Sequence, residues 1–273
     1  MTILDGEKLS RKVLDNVKKE IEEKQLKIKL AVVLVGDSPV SSSYILKKQE
    51  ACKSVGIGSA IFRFDQSISE DDLKKEIERI SDDKSISGIV IQLPLPKKFN
   101  TQEILNLVPA EKDPDVLSEA AFNKFLLNET NVFPPVAGAV KSLLEEYNID
   151  IKDKKIALIG KGRLVGKPLA AWLKNMGADF SIIDRSICDI ASITKEADII
   201  ISGAGSAAII KSDMVKEGAI LIDAGTSSED GEVKGDIAKD AYNKASYVAP
   251  VPGGVGPMTV ACLIDNLLKL YTN

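Results

Sequence analysis

Tyr44 and Lys48 stand four residues apart in the stretch YILKK, so a helix would carry both on one face. The chain contains no histidine, the usual agent of proton transfer near neutral pH. A lysine can take that task when desolvation or a nearby cationic group lowers its pKa. On spacing alone, the pair reads first as a solvated lysine beside a packing tyrosine. A second chemical signal lies in IALIGKGRLVG, which places Gly160, Gly162 and Gly166 in a GxGxxxG spacing. Glycines at a strand-to-helix turn allow a tight bend and close approach of a phosphate. The helix that follows would aim free N–H groups and its positive end at the anion. The spacing is one residue longer than the common dinucleotide fingerprint, so its context must carry it. That context includes Asp184 and Arg185 at the end of the next strand pattern. An acidic residue there binds the adenosine ribose and favours NAD. Arg185, with Lys161, would instead pair with a 2′-phosphate and favour NADP. Two cations against one carboxylate weigh toward NADP, with NAD the alternative.

These residues need elements to position them, and the hydrophobic patterning supplies an α/β order. Residues 5–24 have amphipathic helical spacing through Leu9, Val13, Val17 and Ile21. KLAVVLVG (29–36) reads as a buried strand and 38–55 as a helix, with Asp37 or Ser38 to cap it and Pro39 in its first turn. IGSAIFRF (57–64) is a strand and 69–80 a helix opened by acidic residues; SGIVIQLPLP (87–96) is a strand running into a proline loop. Strand and helix in alternation imply parallel βαβ units. A second series begins with the strand at 154–160, the glycine turn and its helix. It continues with strands at 179–184, 197–205 and 218–225 and in SYVAPVPGGVG. A final helix pattern over 257–271 has Leu263, Leu267 and Leu268 on one stripe, and it could cross back to the first series. A boundary falls within 117–135.

Bulk properties narrow the classes. Net charge is −4, which gives no strong attraction to nucleic acid or anionic membrane. Cys52, Cys188 and Cys262 are odd in number and far apart, as suits a reducing compartment and simple packing. Without histidine or a CxxC pair, no zinc site is expected. MTILDGEKLSRK lacks the apolar run of a signal peptide, and no stretch of about 18 apolar residues is present. The chain is expected to be cytoplasmic.

Three further strings point to one family. QLPLP (92–96), KDPD (112–115) and PVPGGVGPMT (250–259), together with YILKK, resemble the bifunctional methylenetetrahydrofolate dehydrogenase/cyclohydrolase family, the FolD type. The likeness spans nearly the whole chain. IGKGRLVGKP is similar to the family's glycine turn, with Lys161 and Gly162 where an Arg and a Ser are usual. PPVAG (134–138) and Asp184–Arg185 also depart from the family's pattern, as does VLSEAAF after Asp115.

The resemblance implies two α/β domains around a cleft. A folate-binding catalytic domain would comprise 1–118 plus 257–273, and a Rossmann-type NAD(P)-binding domain 119–256, the last helix packing back on the first. It implies oxidation of 5,10-methylenetetrahydrofolate with NADP and hydrolysis of the methenyl product to 10-formyltetrahydrofolate. It assigns proton transfer to Lys48, with Gln92 holding its amine, Tyr44 stacking on or orienting the substrate rings, and Asp115 binding the pterin. Pro252, Gly253 and Gly254 would lie against the folate. The cofactor would lie on Gly160, Lys161, Gly162, Arg163, Leu164, Val165 and Gly166, on Asp184 and Arg185, and on Gly203, Ala204 and Gly205. No metal is implied, and a homodimer is. A dehydrogenase without hydrolytic activity, and a non-catalytic nucleotide-binding protein on the same fold, are the alternatives.

Overall fold

The computed structural model describes residues 1–36, 39–187, 189–229 and 232–272. The expected caps Asp37 and Ser38, and Cys188, lie outside the described residues. In chain order the elements begin with β1 (Thr2–Ile3), α1 (Gly6–Lys24), β2 (Lys29–Val35), α2 (Pro39–Ser54), β3 (Gly58–Phe64), α3 (Glu70–Asp82) and β4 (Gly88–Ile91). They continue through α4 (Thr101–Leu105), α5 (Glu119–Leu126), α6 (Pro135–Glu146), β5 (Lys155–Ile159), α7 (Gly166–Asn175), β6 (Asp179–Ile183) and α8 (Ile190–Thr194). They end with β7 (Ile199–Ser202), β8 (Ile220–Asp223), β9 (Ser227–Glu229), β10 (Glu232–Lys234), β11 (Tyr247–Ala249) and α9 (Val255–Thr272). The chain folds into two compact units, one of residues 11–135 with 260–273, the other of 1–10 with 136–259.

The first unit is built on a parallel three-stranded sheet in the order β3-β2-β4. β2 is its centre, and its side chains alternate between faces. Leu30, Val32 and Leu34 enter one apolar cluster with Val17 and Ile21 of α1, Ile45 and Cys52 of α2, and Leu263, Ile264, Leu267 and Leu268 of α9. Ala31, Val33 and Val35 enter the other with Leu73, Ile77 and Ile80 of α3 and Ile104 of α4. A strand buried on both faces needs an apolar residue at every position, which is why 30–35 shows no polar alternation. α9 thus completes the core of this unit. A Cβ on Gly88 would collide with Leu267, so the glycine at the start of β4 lets α9 close on the sheet.

The second unit is a parallel sheet in the order β1-β11-β8-β7-β5-β6. The order turns back at β5, the switch point characteristic of dinucleotide-binding sheets. Relative to the division expected from sequence, residues 1–10, 119–135 and 257–259 change units. β1 pairs with β11, Thr2 opposite Tyr247, and the Asp5 amide donates to the Tyr147 hydroxyl at 2.9 Å. Residues 119–135 stay with the first unit, where Phe125 meets Phe133 edge to face at 5.3 Å. β9 and β10 pair antiparallel, Glu229 opposite Glu232.

Candidate functional site

Lys48 lies on α2 one turn after Tyr44, on a face adjoining the one that buries Ile45 and Cys52 in the core. Its side chain is only 13% exposed. The amine donates to Oε1 of Gln92 at 3.3 Å and stands 3.8 Å from Oδ2 of Asp115. Gln92 follows β4 directly. Its backbone N–H continues the sheet by donating to the Val33 carbonyl, and its Nε2 donates to the Leu93 carbonyl at 2.9 Å. That second bond orients the amide, turning its acceptor oxygen to the lysine. One hydrogen bond and one looser ion pair hold the amine while leaving it room to turn. Tyr44 is half exposed on the same helix face, with the Lys47 amine 5.8 Å from its ring centre. Lys48, Gln92 and Asp115 therefore gather within the first unit beyond the carboxyl end of β4, with Tyr44 one turn before Lys48 on α2, at the end of the sheet where ligands collect in open α/β folds. One turn after Lys48, burial pushes the Cys52 thiol up to about 12, against the opposing pull of the Lys48 charge. Cys52 is thus a packing residue.

Asp115 is held by its neighbours. Asp113, buried, accepts from the Leu117 N–H at 2.9 Å, the Ser118 N–H at 2.8 Å and the Ser118 hydroxyl at 2.7 Å. Val116, between them, takes a left-handed conformation with φ 55°. Burial pushes the Asp113 carboxyl up to about 6, with Ser118 opposing and the Asp115 charge adding. Asn266 of α9 donates through Nδ2 to the Pro114 carbonyl at 2.9 Å and to the Phe133 carbonyl at 2.6 Å. The carboxylate facing Lys48 is thus fixed from both sides along the chain. Ser118 caps α5.

In the second unit the glycine turn joins β5 to α7. Gly160 has φ 94°, and a Cβ there would sit 2.6 Å from the Gly203 carbonyl oxygen. A Cβ on Gly166 would strike the Gly160 carbonyl, whereas Gly162 has open space around its Cα. The first and third glycines are thus required by the bend, and the second leaves the turn open to an approaching group. Arg163 and Leu164 are exposed at the turn, and Val165 packs toward Gly203. Asp184 directly follows β6 and pairs with Lys161 at 2.5 Å. The Lys161 bond and the Ser186 hydroxyl and amide hold the Asp184 carboxyl well below the usual carboxylate range. Of the two cations expected to face a 2′-phosphate, Lys161 therefore engages Asp184, while Arg185 is exposed. Gly203, Ala204 and Gly205 form the loop leaving β7, beside the turn. Pro252 follows a cis peptide bond, Gly253 has φ 103° with open space around its Cα, and Gly254 donates to the Pro250 carbonyl at 2.8 Å.

The cradle fits a dinucleotide in one respect that side chains alone do not fix. At Gly162 the turn leaves open space where no side chain intrudes, and α7 presents its N-terminus behind the turn. Family models agree with that geometry. Residues 4–115 match the tetrahydrofolate dehydrogenase/cyclohydrolase catalytic domain, and 134–273 the NAD(P)-binding domain of the same family. The chain belongs to the tetrahydrofolate dehydrogenase/cyclohydrolase family. A relative named bifunctional protein FolD, from Nautilia profundicola, is 44% identical, with 100% of this chain and 98% of that protein covered. The crystal structure of the Campylobacter jejuni bifunctional FolD enzyme superposes with TM-score 0.95 at 37% identity, covering 100% of this chain and 99% of that one. The Trypanosoma brucei FolD, solved with NADP and an inhibitor, gives TM-score 0.94 at 28% identity, covering 100% and 97%.

Within this dehydrogenase/cyclohydrolase frame, Asp113, Asn266, Asp223 and Asp236 were not singled out from the sequence. Asn266 carried a signal: it is an amide set among the apolar residues of the last helix, near Leu263, Leu267 and Leu268. Asp113 carried none, because KDPD offers two carboxylates and only contacts tell them apart.

Proposed function

We propose that this chain oxidises 5,10-methylenetetrahydrofolate with NADP and hydrolyses the methenyl product to 10-formyltetrahydrofolate. The single observation that carries the hydrolytic half is the Lys48 amine, held by Gln92 and facing Asp115 in a histidine-free protein. In hydrolysis, water adds to the cationic methenyl carbon. The Lys48 amine takes a proton from that water and returns one to the ring nitrogen as its bond to the carbon breaks. The hydroxyl on the carbon becomes the formyl oxygen, and one proton is released overall. Gln92 keeps the amine aimed at the reacting atoms. The Asp115 carboxylate pairs with the adjacent N–H donors of the aminopyrimidinone ring, and the Tyr44 ring stacks on or orients the substrate rings. Pro252, Gly253 and Gly254 supply backbone that folate can approach closely.

When bound, NADP accepts hydride from the methylene carbon. That step asks the protein chiefly for distance and angle. Residues Gly160 to Gly166 would hold the pyrophosphate at the start of α7. Asp184 would serve the adenosine ribose and Arg185 its 2′-phosphate, with Lys161 offsetting the Asp184 charge. Since β6 lies on one side of β5 and β7 on the other, the end of β7 and the loop at 203–205 would hold the nicotinamide half. A lysine with both partners in reach favours two activities over a dehydrogenase alone. We further propose a cytoplasmic homodimer, as the family resemblance implies. Exposed Ile182 on edge strand β6, with exposed Met176 at the end of α7, supports an interface on the cofactor unit.

The test follows nicotinamide absorbance with purified protein. Reduction of NADP on adding methylenetetrahydrofolate, and hydrolysis of supplied methenyltetrahydrofolate, are the expected results. Absence of reduction with both NADP and NAD would favour a non-catalytic nucleotide-binding protein.

A further inference from the structure

Residues 203–206, Gly-Ala-Gly-Ser, leave β7 beside the glycine turn, and Gly203 lies too close to Val165 to carry a Cβ. A loop of small residues at this place would ordinarily offer its N–H groups to phosphate. Here they turn inward. The Gly203 N–H donates to the Ile159 carbonyl at 2.8 Å. Asp236, with 0% exposure, takes the rest. Its Oδ2 accepts from the Ala204 N–H at 2.7 Å and the Gly205 N–H at 3.2 Å, and its Oδ1 from the Ser206 N–H at 2.7 Å. The Ser202 hydroxyl donates to Oδ2 as well, at 2.7 Å.

Asp236 is itself built into place. Its N–H donates to Oδ1 of the equally buried Asp223 at 3.1 Å, and the Ile237 N–H to Oδ2 at 2.9 Å. Gly225 has no Cβ where the Asp236 carboxyl sits, and Gly235 none where the Asp223 carboxyl sits. Burying a carboxylate is costly unless its oxygens are satisfied. Two such groups, each matched to backbone donors across a glycine, mark a framework that fixes one loop conformation.

We propose that Asp236 is the positioning residue of the cofactor loop: it draws the amides of Ala204, Gly205 and Ser206 inward, so that the loop meets the dinucleotide with carbonyl oxygens and Cα hydrogens and disfavours phosphate. This rests on the dinucleotide reading of the second unit. A surface of that kind suits the ribose hydroxyls and carboxamide N–H groups of the nicotinamide half.

The experiment compares the full-length protein with Asp236→Asn, which keeps the shape but turns an NH₂ donor toward the loop amides. Three quantities are read: the KM for NADP, the affinity for 2′,5′-ADP (the adenosine half alone), and the dinucleotide-free hydrolysis of methenyltetrahydrofolate. The NADP KM rises roughly tenfold, the size expected for losing a charged acceptor, while the other two stay within about twofold. An unchanged NADP KM overturns the proposal. So does an equal loss of 2′,5′-ADP affinity, which would place the loop at the phosphate end, or a parallel loss of hydrolysis in a folded variant. Should the variant not fold, hydrogen exchange of the unaltered protein decides. Strong protection of the three amides supports the assignment, and exchange at free-loop rates overturns it. Failure of the unaltered protein to reduce either nicotinamide cofactor is seen before any variant is made, and removes the underlying reading and the proposal with it.

Discussion

A lysine does the work of an imidazole here only if its surroundings hold it in place. Gln92 is the restraint most open to test, because its amide is itself oriented by the Leu93 carbonyl. Gln92→Met removes the acceptor and keeps much of the volume. Hydrolysis of methenyltetrahydrofolate is expected to fall about tenfold, the cost of losing one charge-assisted hydrogen bond, with the NADP KM unchanged. A second residue-scale prediction concerns cofactor choice. Arg185→Ala should raise the KM for NADP about tenfold and leave that for NAD nearly as it was, since only NADP carries the phosphate a guanidinium would grip. Equal effects on both would show that the arginine does not read the 2′-phosphate. The helical spacing of Tyr44 and Lys48 was legible in the sequence, because a helix of known period fixes which side chains share a face. That Lys161 would close on Asp184 rather than stand beside Arg185 was not legible. It depends on how the glycine turn bends back over the end of β6.

Elements were read where periodicity or an apolar run is strong. Apart from β1, the strands of both sheets and the long helices α1, α2, α3, α7 and α9 fall where pattern and turn residues placed them, within a few residues. What pattern could not supply were contacts closing over long separations. Asn266 bonds to Pro114 and Phe133, 152 and 133 positions away. Asp236 reaches back 30 to 34 positions to the loop after β7. Nothing local distinguishes Asp236 from a solvent-facing residue, and the amide of Asn266 on an apolar helix face names no partner. The Asn266 tether makes an element-scale prediction. Asn266→Leu leaves two buried carbonyls without their donor and should destabilise the protein by about 1–3 kcal/mol. A loosened Asp115 loop should also raise the KM for folate. Thermal unfolding and steady-state kinetics measure the two effects together, and a stable variant with normal folate KM would refute the tether.

On the scale of the whole molecule, two buried carboxyls shape the response to pH. Burial pushes both Asp113 and Asp223 up to about 6, above the usual value near 4. Each is thus protonated more readily in the folded chain than in the unfolded one. Their contribution to stability is fully present below the unfolded value and is lost as pH rises through about 6. Comparing the protein with Asp223→Asn over pH 4–7 isolates that term. The stability difference should shift against the unaltered protein by on the order of 2 kcal/mol as pH rises, and a flat difference would contradict the burial argument. Two units and their parallel sheets were legible from the alternation of strand and helix. The pairing of Thr2–Ile3 with β11 was not, because two residues carry no period and their partner lies at the far end of the chain. The claim on which the rest depends is that one restrained amine moves the protons of the hydrolytic step. Lys48→Met, assayed for hydrolysis of methenyltetrahydrofolate supplied directly, tests it most closely. The expected result is a loss of at least about a hundredfold, the low end for removing a general acid–base group, in a protein that still folds and binds NADP. A hydrolysis rate close to that of the unaltered protein would contradict it.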